Sequence, residues 1–174
     1  MVDKLIPAAG PVRHVRASTP ADLAAVDALL AGSYPRLLKR DYPPSVLVTA
    51  LPLISRAQPA LLGSGTYYVA EDAQGEIIGA GGWSVDRQLR HRGHIRHVVA
   101  DHRLQRRGIA RRLVGHALRI ASAAGLREME CWATLTAVRF YEAMGFAGEG
   151  PMEVPLAPGI TFPCMRMRQR LEQP

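Results

Sequence analysis

The spacing of apolar and polar residues marks out a series of short elements. Val12 to Ala17 reads as a first strand. Thr19-Pro20-Ala21-Asp22 then opens a helix: Thr19 suits the N-cap, Pro20 the first helical position, and Asp22 the positive end of the dipole. Leu23, Val26 and Leu30 give that helix one apolar face. A second helix is predicted over Ser45 to Ile54, bounded by prolines. Thr66 to Ala70, the turn Asp72 to Gly75 and Glu76 to Ala80 form a hairpin pattern. Gly79, Gly81 and Gly82 weaken the returning strand or let another backbone come close. After a polar loop at Asp86 to Arg92, His94 to Ala100 reads as a strand. Ile109 to Ala124 reads as a helix, with Ile109, Leu113, Ala117, Ile120 and Ala124 on one side and Gly125 at its end. Glu128 to Trp132 is a strand, and Thr136 to Met144 a short helix stopped by Gly145. Strands near Ala147 to Pro155 and Phe162 to Arg168 flank a Pro-Gly turn. The order β-α-α-β-β-β-α-β-α-β-β predicts one α/β (α+β) domain with a mixed sheet over residues 12–171. Residues 1–11 read as a flexible tail.

Composition narrows the class. A chain of 174 residues that is 48% hydrophobic suits one domain with a real core, and 6% aromatic content makes that core one of small residues. No apolar run is long enough to cross a bilayer, and the first residues lack the pattern of a secretory leader. Cys131 and Cys164 do not suggest a disulfide framework, so a reduced, cytoplasmic setting is the default. The net charge of +7 points to an anionic partner: nucleic acid, a membrane surface or a phosphorylated cofactor.

Local clustering discriminates among these. From His94 to Leu113 the chain reads strand, basic loop, glycine, helix. A helix start displays free N–H groups and the positive end of a dipole, and Gly108 lets the backbone approach a phosphate. Arg103, Arg106, Arg107, Arg111 and Arg112 crowd this start. Cations there are unfavourable by a few tenths to about 1 kcal/mol each, unless a polyanion occupies the site. Neither Gly-Lys-Ser/Thr nor G-x-G-x-x-G spacing is present, which disfavours ATP and NAD.

Gln105-Arg106-Arg107-Gly108-Ile109-Ala110 resembles the Q/R-x-x-G-x-G/A signature of the GNAT superfamily of N-acetyltransferases. Ala137 to Phe146, with Tyr141-Glu142 and Gly145-Phe146, resembles that family's second motif at the expected distance. The resemblance implies that Gln105, Arg106, Arg107, Gly108, Ile109, Ala110 and Arg111 bind the pyrophosphate of acetyl-CoA. It also implies that Val98, Val99 and Ala100 pair with the pantetheine arm where their strand splays from the next. Thr134 stands where the family often has a CoA-contacting Asn, and His102 where it often has Pro. The implied activity is acetyl transfer to an amine acceptor without a metal. A membrane partner is not implied, nucleic acid is disfavoured, and a homodimer is left open.

Acyl transfer from a thioester needs a polarised carbonyl, a deprotonated amine and a stabilised thiolate. Backbone N–H groups near Val99 and Ala100 suit the first need. Tyr141 is the candidate general acid, since a thiol titrates near 8.5 and a phenol near 10; its other reading is packing against Phe146. The base stays open among Glu128, Glu130, His94, His97 and a water relay to bulk. The two histidines are three apart on a strand and should face opposite sides, which argues against a zinc pair. Cys131 reads as a buried strand cysteine. Tyr34, Tyr42 and Trp83 are candidates for the acceptor pocket or for packing. Two rival readings are a CoA-binding regulator without catalysis and a basic nucleic-acid-binding domain.

Overall fold

The computed structural model describes residues 11–172; the tail expected at the N-terminus lies outside them apart from Pro11. In chain order the elements are β1 (His14–Ala17), α1 (Leu23–Leu38), α2 (Pro44–Ile54), the single turn α3 (Pro59–Leu62), β2 (Tyr67–Glu71), β3 (Ile77–Val85), β4 (Arg92–Ala100), α4 (Ile109–Ala123), β5 (Glu128–Thr134), α5 (Val138–Ala143), β6 (Ala147–Ala157) and β7 (Ile160–Arg170). One seven-stranded sheet runs β1-β2-β3-β4-β5-β7-β6. Every neighbouring pair is antiparallel except β4 and β5. The mixed sheet and the order of elements follow the sequence reading. The four residues of α3 are too few to display a helical period, and that turn was not anticipated.

Alternation along β2 splits the core into two layers. Tyr68 and Ala70 join Ile78, Trp83 and the buried face of α4. Tyr67 and Val69 join Ala80, Val99 and α1. Trp83 is a core residue here, 4% exposed, with its indole N–H donated to the Tyr68 hydroxyl at 3.3 Å. The buried stripe of α4 is Ile109, Leu113, Val114, Ala117 and Ala121, whereas Ile120 is 39% exposed. The stripe thus follows the i, i+4 row rather than turning to Ile120 and Ala124. At the start of α1, Asp22 is buried, accepts the Thr19 N–H at 2.8 Å and holds both terminal nitrogens of Arg16 at 2.9 Å.

β3 continues through its glycines to Val85 because they permit close packing. A Cβ on Gly82 would lie 2.2 Å from the Thr66 carbonyl oxygen and 2.5 Å from the Tyr67 Cα. Both are backbone atoms and cannot rotate aside. Gly82→Ala should therefore destabilise the fold by about 3 kcal/mol, at the upper end of overpacking costs, through a lowered denaturant midpoint. An unchanged midpoint would contradict this packing.

β4 contains a bulge. Ala80 pairs with Val99 but Gly82 pairs with Arg96, so one extra residue is accommodated near His97, whose φ is 43°. At the far side of the sheet, β6 is the edge strand and carries Pro151 and Pro155.

Candidate active site

β4 and β5 pair for three residues only, Arg92–His94 against Glu128–Glu130. Beyond these the strands separate, although β4 continues to Ala100 and β5 to Thr134. The gap holds a cavity of about 250 Å³ bordered by Ile95–Val98, Cys131–Thr134, Tyr141 and Tyr34. The Tyr34 hydroxyl donates to the Val98 carbonyl at 3.3 Å. The Asp101 N–H donates to Ile78 on β3. By alternation the Val99 N–H also turns to β3, while those of Val98 and Ala100 turn to the gap. Val98 and Ala100 are thus the residues whose amides face the gap.

At the C-terminal end of β4 the chain makes a compact turn into α4. Asp101 is 4% exposed and binds the Arg103 backbone N–H at 2.8 Å and its guanidinium at 2.6 Å. The Arg103 guanidinium holds the Asp101 carboxyl below its usual range. Arg106 (φ 61°) and Gly108 (φ 78°) both take the left-handed conformation. Strain of this kind at a non-glycine residue costs about 1–3 kcal/mol and tends to collect at ligand sites. No side chain caps α4, and a Cβ on Gly108 would meet nothing within 4 Å. Of the five clustered arginines, Arg103 is spent on Asp101 and Arg112 on the Val12 carbonyl. Arg106, Arg107 and Arg111 are exposed beside the uncapped helix start, together with Gln105. Ile109 is buried beneath it and Ala110 is half-buried.

Tyr141 is buried at the cavity wall. Gly145 (φ 96°) ends α5: its N–H bonds the Glu142 carbonyl and the Phe146 N–H bonds the Tyr141 carbonyl. This turn sets the Phe146 ring edge-on to Tyr141 at 5.4 Å, with Phe140 at 5.0 Å. The phenol lies beside the Cys131 thiol. Burial raises the phenol pKa well above its usual value and pushes the Cys131 thiol up to about 12. Cys131 is therefore a poor nucleophile. Thr134 borders the cavity and its hydroxyl caps nothing. The Leu135 N–H that follows is instead accepted by the Tyr42 hydroxyl at 2.8 Å, and that hydroxyl donates to the Pro163 carbonyl at 2.7 Å. Tyr42 also stacks on Phe162 at 4.5 Å, so it braces the wall from behind.

A second cleft, about 770 Å³, adjoins the cavity, and His94, Arg96, His97 and Trp132 border both. The bulge explains why His94 and His97 meet the same cleft. The extra residue breaks the alternation, and the parity argument against a paired metal site fails with it. Among the described residues, no group of three or more His, Cys, Asp or Glu side chains is arranged to hold a metal ion. The His94 Nε2 lies 2.6 Å from Asp86 and its Nδ1 lies 3.9 Å from Glu130. The His94 bond and the Gln88 and Leu89 N–H groups hold the Asp86 carboxyl far below its usual range. Asp86 can then only accept, which puts a proton on His94 Nε2 and makes Nδ1 the lone-pair nitrogen of the neutral ring. His97 is kept neutral by burial and by Arg96; its Nε2 meets Gln58 at 3.0 Å and its Nδ1 has no partner. Glu130 is not solvated. It is 5% exposed and held by Trp132 at 2.7 Å and by Arg92 and Arg168 at 3.4 Å. Glu128 is bound to Arg92 at 3.0 Å, which lowers its pKa.

The sequence matches the profile of the Acetyltransferase (GNAT) family over residues 33–146, from the second half of α1 to the turn at Phe146. The chain belongs to the GNAT acetyltransferase family. It is an acyltransferase, and the gap between β4 and β5 lies within the matched region. No protein of curated function matches it in sequence. Among solved structures it is similar to the GCN5-related N-acetyltransferase from Rhodopseudomonas palustris, with TM-score 0.79 and 18% identity over 94% of this chain and 98% of that one. It is also similar to a GNAT phosphinothricin acetyltransferase from Sinorhizobium meliloti solved with AcCoA (TM-score 0.65, 22% identity, 91% and 88% covered). A third, the paia N-acetyltransferase from Thermoplasma acidophilum with coenzyme A, gives TM-score 0.64 and 12% identity, with 90% and 98% covered. At these identities the likeness concerns the fold. Among the described residues of this GNAT domain, no helix is long and apolar enough to cross a membrane.

Two side chains that line the candidate site were not singled out individually from the sequence, although the resemblance put the Asp86–Arg92 loop near the acceptor. Asp86 was taken for loop, although an Asp that accepts the N–H groups two and three residues on is a common turn signal. Arg96 was passed over within the strand, where a charged residue two places from His94 shares its face.

Proposed function

We propose that the protein transfers an acetyl group from acetyl-CoA to a primary amine by direct attack. The observations that carry this reading are the uncapped, arginine-flanked start of α4 just after β4 and the cavity between β4 and β5 with Tyr141 on its wall. The pyrophosphate would lie against Gln105–Arg111 and the pantetheine along Val98–Ala100, near Thr134. The amine would enter from the second cleft. It gives a proton to His94 Nδ1, which Asp86 orients through Nε2 and Glu130 steadies as the ring becomes positive. The amine nitrogen attacks the thioester carbonyl, and the Val98 and Ala100 amides stabilise the oxyanion. The C–S bond then breaks, the thiolate takes its proton from Tyr141, and the phenolate is reprotonated from solvent as His94 releases to solvent the proton taken from the amine. Burial widens the gap between the phenol and a thiol titrating near 8.5. Tyr141 therefore acts first as a hydrogen-bond donor, and its proton moves as charge builds on sulfur. The net reaction consumes amine and acetyl-CoA and yields amide and CoA. CoA fills the basic site, so a separate nucleic-acid partner is not needed to explain the charge.

Acetyl-CoA should bind without added metal in the micromolar range, and more weakly as salt screens Arg106, Arg107 and Arg111. Thiol should appear only when both acetyl-CoA and a suitable amine are present. CoA binding without thiol release across a broad amine panel would favour a regulator; salt-independent binding would remove the arginines from the site.

A further inference from the structure

The second cleft carries an unbalanced cation. Five arginines border it, Arg87, Arg92, Arg96, Arg166 and Arg168, against two carboxylates, Asp86 and Glu130. Both carboxylates are committed, Asp86 to His94 at 2.6 Å and Glu130 to Arg92 and Arg168 at 3.4 Å. Arg92 and Arg168 have further partners in Glu128 and Glu149, each at 3.0 Å. Arg96 is different. It is half-buried, and its Nε donates to the Ser84 hydroxyl at 2.8 Å. Among the described residues, no carboxylate lies within ion-pair distance of its guanidinium. Burial, and after it neighbouring Arg87, press its pKa down against the opposing pull of Asp86. A partly desolvated guanidinium without a counter-ion is costly, and an oxyanion that fits its planar fork relieves the cost.

Position then narrows the ligand. His94 and Arg96 are two residues apart on β4, before the bulge, so they share a face at about 6–7 Å along the strand. That span suits an amine and an anion on one small molecule.

We propose that the acceptor is a free amino acid or similar small amino-oxyanion, with its carboxylate held by Arg96 and its amine presented to His94. The proposal rests on the acetyltransferase reading above. It disfavours polyamines, which lack the anion, and protein N-termini, whose α-carboxyl is already an amide.

The test compares thiol release from acetyl-CoA with the common L-amino acids, each beside its α-carboxamide. A carboxamide has the less basic amine and more of its reactive free base, which biases the comparison against the proposal. At least one acid should still exceed its amide in kcat/KM by on the order of 10- to 100-fold, the worth of a charge-assisted pair. Arg96→Met should collapse that preference chiefly through KM, and Arg96→Lys should restore part of it. Melting temperature and CoA affinity report whether the variants fold. If they do not, the comparison of acids with amides in the unaltered protein still decides. Turnover of amides or polyamines equal to or better than that of every acid would overturn the proposal and leave the acetyltransferase reading intact. No thiol release with any acceptor, polyamines and peptides included, would overturn both.

Discussion

Tyr141→Phe should lower kcat for acetyl transfer by roughly 10²–10⁴, the range for loss of a general acid. The change deletes one oxygen. Phe146 and Phe140 still meet the ring edge-on, and the Schellman turn at Gly145 is made by backbone atoms. The phenol lies beside the Cys131 thiol, at best a weak acceptor, so the stability cost should be at most about 1 kcal/mol. CoA affinity should barely move, because the arginine loop and the strands are untouched. The loss should shrink with an acyl donor whose thiol is more acidic, since such a thiolate needs less help to leave. Burial keeps the phenol protonated across the working pH range, so the defect should be nearly the same at every pH tested. A folded variant with full kcat throughout would make Tyr141 a packing residue and hand the acid role to another group or to water.

Gly108→Glu should abolish measurable acetyl-CoA binding, with a fall in affinity of on the order of 100-fold or more, from desolvating and opposing like charges at the pyrophosphate. Nothing protein-borne fills the space a side chain would take there, so only a ligand is displaced. The positive φ of 78° adds a conformational cost of about 1–2 kcal/mol for any ordinary side chain. Gly108→Asn provides the control, since Asn tolerates that conformation and carries no charge. Calorimetric titration of both variants separates the effects. Asn should bind more weakly than the unaltered protein but detectably, and Glu should not bind. Equal affinity in a folded Glu variant would move the phosphate site elsewhere.

The readable parts of this fold are those set by neighbours in sequence. The loop into α4 is legible because its glycine, its cations and the helix it opens lie within ten residues. The Tyr141–Phe146 contact is legible because one glycine sets it. The parts that misled the reading depend on distant strands. The bulge at His97 follows from how β4 meets Gly81 and Gly82 of β3, and no periodicity within β4 announces it. Glu130 looks like a solvated strand residue until Arg92 and Arg168 arrive from the strands on either side. Tyr42 acts on Leu135 across 93 positions, which no local signal could convey. Even the charge count needed the structure: five arginines cluster in sequence, and Asp101 and the Val12 carbonyl take up two of them.

The prolines of β6 bear on how copies of the chain can meet. Pro151 and Pro155 stand opposite Met165 and Thr161 of β7, on the outermost strand of the sheet. A proline has no N–H to offer, and such residues are tolerated where the missing donor faces outward. The rim of the sheet thus presents carbonyls interrupted by two blank positions, and its pairing with β7 is broken at two further points by register shifts. A second β6 laid alongside would find too few donors to zip on, so the sheet cannot be lengthened into a continuous intermolecular one at this rim. Self-association along this border would have to be written in side chains rather than in backbone pairing.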